Sequence, residues 1–138
     1  MSDIGMILDR VGRKMVTGVA PHLEGHYAAG HATMGGLLAI MAGESWDGAA
    51  DRLHREIEGL RALLEAGGEP ADEVAESLKL SDMAAVRNAL AARLIALQTR
   101  LEGSSAAADK ALNTKIWGFL LAGAADRMPS PPEFPDAA

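Results

Sequence analysis

Cysteine is absent from the 138-residue chain. That excludes disulfides, thiolate metal sites and a cysteine nucleophile. Nothing argues for an oxidising compartment, so the cytoplasm is the expected location. A basic surface is missing too. The formal net charge is -6, and without clustered Lys and Arg to displace counterions, nucleic acid is not an expected partner.

Long hydrophobic runs are few. The most apolar stretch, Tyr27 to Gly43, contains His31 and falls at the short end of the roughly 17–25 residues that span a bilayer. It reads as a buried helix, and no membrane partner is expected. The N-terminal Met-Ser-Asp-Ile-Gly carries an acid, and Arg10, Arg13 and Lys14 interrupt the apolar residues after it, so it does not read as a signal peptide. No segment alternates strictly or concentrates Val, Ile and Thr as strands do.

What is present is helical spacing almost throughout. Ile4, Leu8, Val11, Met15 and Val19 recur at steps of four and three, which sets them on one face of an amphipathic helix, and Pro21 then breaks or restarts the chain. A second helix is expected from about His22 or His26 to Ala42, with Tyr27, His31, Met34, Leu38 and Met41 along its interior stripe and Gly43 as its stop. Ser45 reads as the cap of a third, with Trp46, Ala50, Leu53, Ile57, Leu60 and Leu64 as its seam and Gly67-Gly68 as its end. The short break between these two predicts antiparallel neighbours.

Pro70 followed by Ala71-Asp72-Glu73 predicts a helical turn in the connector. Ser81 reads as the cap of a fourth helix whose Met83, Val86, Leu90, Leu94, Leu97 and Leu101 face inward before Gly103. A fifth opens at Ser104 or Ser105, carries Ala108, Leu112, Ile116, Phe119, Leu120 and Ala124, and ends near Asp126. The fold class expected is all-α: an up-and-down bundle of four long helices plus an N-terminal helix. Residues 1–128 are expected to form one domain, followed by a Pro-rich extended or disordered tail, 129–138.

Chemistry-bearing residues are few. His22, His26 and His31 crowd into ten positions and are the metal candidates, imidazole being the commonest ligand. On one continuous helix, however, His31 lies roughly 180° from His22 and 140° from His26, so a shared ion needs a break at Gly25. Asp47, Asp51, His54 and Glu58 form a polar stripe, read as a solvated face with Asp51–Arg55, His54–Glu58 and Glu58–Arg61 pairs. The serines sit near helix boundaries and none occupies a Gly-x-Ser-x-Gly elbow. No glycine-rich loop leads from a strand into a helix, so there is no phosphate cradle.

Gly30, Gly35 and Gly36 lie within the second helix, at a cost of up to about 1 kcal/mol each, and call for close helix approach or a groove. The tail carries Pro129-Ser-Pro-Pro132 and Pro132-Glu-Phe-Pro135, which have the bare spacing read by polyproline-binding domains. A frayed end, or Phe134 folding back onto its own helices, explains them equally well.

The fifth helix also has Ile116, Trp117, Phe119, Leu120 and Leu121 spread over an arc near 200°, too wide for one buried stripe. The expected function is therefore a non-enzymatic helical bundle acting through self-association or protein–protein contact, a homodimer with Trp117 or Leu121 at its interface. No cofactor is predicted, though metal is not excluded. Two alternatives are a metal-binding protein built on the histidines and a carrier of a small apolar ligand beside Tyr27, His31, Met34 and Met41.

Overall fold

A computed structural model describes residues 2–134; Pro135, which completes the second Pro-x-x-Pro, lies outside them with the last residues of the tail. All regular structure among the described residues is helical: α1 Asp3–Lys14, α2 Ala28–Asp47, α3 Ala49–Ala66, α4 Leu80–Glu102 and α5 Ala107–Asp126. The all-α class, four long helices and a shorter N-terminal one, is as expected. The contacts divide the chain into two compact units. One holds α1, α2 and the tail, the other α3, α4 and α5.

In the first unit Ser2 caps α1, its hydroxyl accepting from Gly5 N at 3.2 Å, and its amide donates to Asp47 at 2.7 Å. After α1 the chain passes through a π-helical stretch, Met15–Val19, and a 3-10 turn, Ala20–Leu23, opened by Pro21. Gly25 then adopts φ +83°, a left-handed backbone that favours glycine. That break delays α2 to Ala28, so neither His22 nor His26 starts it.

The two helices run antiparallel and touch through glycine. A Cβ on Gly36 would lie 2.6 Å from Gly12 O and 2.7 Å from Val16 Cγ2, and one on Gly43 would lie 2.8 Å from Gly5 O. Gly12 meets the Gly36 carbonyl just as closely. Gly5 and Gly12, and Gly36 and Gly43, are each seven residues apart, so two matched contacts bring backbone onto backbone.

This contact inverts the expected faces. α1 buries Gly5 and Gly12 and leaves Ile4 and Val11 exposed, as is Val19 in the π-helical stretch after it; α2 buries Ala32, Gly36, Ile40 and Gly43 and leaves His31, Met34 and Leu38 exposed, as is Tyr27 just before it. Gly43 is a contact point and not a stop. Ser45 and Trp46 therefore lie inside α2, which ends at Asp47 before Gly48.

The tail is extended and bound along one edge of this hairpin. Ser130 donates to the Glu44 carboxylate through its amide and its hydroxyl, at 3.1 and 2.8 Å. Arg13 donates to Glu133 O at 2.7 Å and places its guanidinium 5.6 Å from the Phe134 ring centre. Phe134 folding back is thus the observed state.

In the second unit the leucine seams are where periodicity put them. Ile57, Leu60 and Leu64 of α3 meet Met83, Val86, Leu90, Leu94, Leu97 and Leu101 of α4, and Ile116 of α5 closes the core. Gly68, at φ +74°, ends α3 in a Schellman motif: Glu69 N donates to Leu64 O and Gly68 N to Glu65 O. Phe119 sits against Gly59, where a Cβ would collide with its ring.

The helical turn expected after Pro70 does not form. Three arginines hold the connector extended instead: Arg93 donates to Pro70 O at 2.7 Å, Arg61 to Glu73 O at 2.6 Å and Arg100 to Gly67 O at 3.2 Å. Arg93 also pairs with Glu73, and Arg100 with Glu69 at 2.9 Å. The cap of α4 is Lys79 rather than Ser81, because Ser77 bridges Lys79 N and the Asp82 carboxylate one turn earlier. Arg93→Ala should cost about 1–2 kcal/mol, since a charge-assisted bond to a carbonyl is lost at a half-exposed site. Hydrogen exchange over residues 70–76 should speed up in that variant. Unchanged protection there would mean the connector is held by Ala71 and Ala75 alone.

Candidate functional site

The feature most in need of explanation is apolar surface. α5 buries Ile116 and half-buries Leu112 and Phe119, which uses the side of the helix facing α3 and α4. The rest of its wide apolar arc is left outside: Trp117 is 58% exposed and Leu121 75%. A helix apolar nearly all round is ordinarily covered on more than one side.

The hairpin of α1 and α2 exposes large apolar side chains as well. Because glycines fill its seam, the big side chains are pushed to the flank and back of each helix. Ile4 and Val11 flank the seam on α1, on the side of Met15, whose methyl lies 3.2 Å from where a Gly35 Cβ would stand. On α2, Trp46 lies on that same flank, whereas Tyr27, Met34 and Leu38 stand on the back of the helix, away from α1. The opposite edge, with Asp9, Arg13 and Glu44, is the one the tail covers.

A charged cluster in the second unit escaped sequence reading. Glu56 is 9% exposed, its Oε1 accepting from Nη2 and Nε of Arg127 at 2.7 and 3.1 Å and its Oε2 lying 3.7 Å from Nε of Arg87. Arg55 bridges Asp51 and Asp126, and these two carboxylates, the Asp126 hydrogen bond foremost, raise its pKa further. A signal existed. Glu56 falls in phase with Leu53, Leu60 and Leu63, so it is an acid at a core position of the heptad. Its carboxylate spans α3, α4 and the end of α5, which makes the cluster a structural tie.

The polar stripe resolves into separate parts. Asp47 belongs to α2 and accepts from Ser2, whereas Asp51–Arg55 and Glu58–Arg61 pair along α3 as expected; His54 is exposed. Among the described residues no three His, Asp or Glu side chains stand close enough to share a metal ion. His22 sits in the 3-10 turn, His26 precedes α2, and His31 makes an edge-on contact with Tyr27, ring centres 4.6 Å apart.

The expected ligand-lining set is not brought into a cavity. Tyr27, His31 and Met34 stand exposed and Met41 is half-buried, because the glycine face of α2 took the interior. No helix among the described residues is long and apolar enough to cross a membrane. The chain matches no family model, and neither a curated protein nor a solved structure is detectably similar to it.

Proposed function

We propose that this chain is a non-enzymatic helical protein that acts through self-association and protein–protein contact, as a homodimer in the cytoplasm. The observation that carries this reading is the apolar surface left exposed in rows on α2 and α5, since large uncovered apolar patches mark interaction sites. Two-fold dimers are the commonest soluble assemblies. The row with Trp117 and Leu121 is a contact surface in this reading. A wholly cysteine-free sequence supports the location, and the acidic balance supports protein partners over nucleic acid.

Light scattering of the untagged chain at high micromolar concentration is expected to give twice the mass of 14.4 kDa. A monomer at that concentration would overturn the homodimer. Native mass spectrometry of the same sample reports retained metal or small molecule, and a stoichiometric adduct would turn the reading toward a metal or carrier protein.

A further inference from the structure

The tail over 128–134 is built to stay extended. Pro129, Pro131 and Pro132 fix their own φ at about −65°, and Met128, Ser130 and Pro131, each preceding a proline, are held to the extended region, so little conformational freedom remains to lose on binding. In an extended proline-rich chain every third residue faces the same way. Pro129 and Pro132 are half-buried, whereas Ser130, Pro131 and Glu133 are exposed.

The edge of α1 and α2 holds this segment as a groove holds a peptide. Asp9 accepts from Nε of Arg13 at 3.0 Å, which aims Nη1 at the carbonyl of Glu133, 2.7 Å away. Glu44 takes the amide of Ser130 at 3.1 Å and its hydroxyl at 2.8 Å. The bonds to the Glu133 carbonyl and the Ser130 amide engage tail backbone, which any sequence supplies; the Ser130 hydroxyl and the Phe134 ring, 5.6 Å from the Arg13 guanidinium, add selectivity. The tail does not fill its seat. A space of about 210 Å³ remains, lined by Arg13, Ile40 and Glu44 of the helices and by Pro131 and Pro132 of the tail.

What keeps so few contacts closed is the covalent link. Partly exposed bonds of this kind contribute little each, and the tail follows α5 directly, which holds it near the groove at a local concentration on the order of millimolar. A ligand held by its tether is displaceable. We propose that this edge is a peptide-docking groove, which the chain's own tail fills in the free protein and which takes in its place an extended proline-rich segment of a partner protein, with a hydroxyl donor opposite Glu44 and an aromatic ring opposite Arg13. This rests on the protein–protein contact reading and gives it a surface and a ligand. A carboxylate or phosphate at the serine position is rejected, because it would face Glu44.

The test uses the full chain and a labelled peptide of sequence 128–134, read by fluorescence anisotropy. A chain whose own tail is weakened, Ser130→Glu/Phe134→Ala, should bind that peptide with a dissociation constant below about 1 mM, and at least about 10-fold tighter than the wild-type chain, in which the tethered tail competes. Arg13→Ala or Glu44→Ala added to that chain should each weaken binding at least about 10-fold. A peptide carrying Ser130→Glu should bind at least about 10-fold more weakly to the unaltered groove, a control that leaves the protein untouched. Equal binding to the wild-type and tail-weakened chains, binding indifferent to Arg13 and Glu44, or none up to about 1 mM would overturn the groove. Light scattering on the same chains separates the two readings. A dimer that takes no peptide overturns the groove and leaves self-association standing, and a monomer that takes it overturns the homodimer and leaves the groove.

Discussion

Replacing Gly36 with leucine is expected to destabilise the α1–α2 hairpin by at least about 3 kcal/mol, and replacing Gly30 with alanine in the same helix to stabilise it by up to about 1 kcal/mol. The opposite signs follow from what each new Cβ meets. At Gly36 it lies 2.6 Å from Gly12 O and 2.7 Å from Val16 Cγ2, and the first obstacle is backbone, which cannot rotate away. At Gly30 nothing lies within 4 Å, so only the helix propensity gained over glycine remains. Trp46 reports on α2 and Trp117 on α5, so a Trp117→Phe background isolates the hairpin signal in a denaturant titration. A Gly36→Leu hairpin that unfolds at the wild-type midpoint would mean the two helices are not in glycine contact.

Glu56→Ala should cost about 2–3 kcal/mol, the next largest effect. Removing one member of a buried ion pair strands its partners, at some 3–5 kcal/mol in a dry core. The arginine side chains here are 31% and 51% exposed, so water recovers part of that loss. Arg87 suffers most, because its Nε is buried and already without a hydrogen-bond partner. Arg127→Ala should cost less, about 1–2 kcal/mol, since Arg87 still faces the carboxylate. Chemical denaturation of the three proteins measures this directly. If Glu56→Ala and wild type unfold within about 0.5 kcal/mol of one another, the cluster is solvated pairing of the kind that contributes little.

The second unit was legible and the first was not, for one reason. In α3 and α4 the residues that repeat with helical period are leucines, whose burial is favourable in any packing, so periodicity and interior coincide at Leu60, Leu64, Leu90, Leu94 and Leu97. In α1 and α2 the same period is written twice, once in large residues and once in glycine and alanine. Hydropathy picks the large set. Which set turns inward depends on whether a second helix can come close enough to repay glycine's entropy, and that is decided only when Gly5 faces Gly43 and Gly12 faces Gly36.

The same holds for single residues. That Asp51 pairs with Arg55 and Glu58 with Arg61 is local, fixed by spacing along one helix. The phase of Glu56 with Leu53 and Leu60 marks it as a core position, but its partner Arg127 lies 71 positions away and no local pattern supplies it. The chain by itself determined its helical class, the leucine core of the α3–α5 unit and the excess of apolar surface on α5, because these follow from side-chain periodicity alone. Tertiary structure decided where α2 starts and stops, that the connector is extended, and which face of the hairpin meets solvent. Those outcomes rest on contacts between distant backbone and charged groups, whose energies exist only after the chain has brought them together.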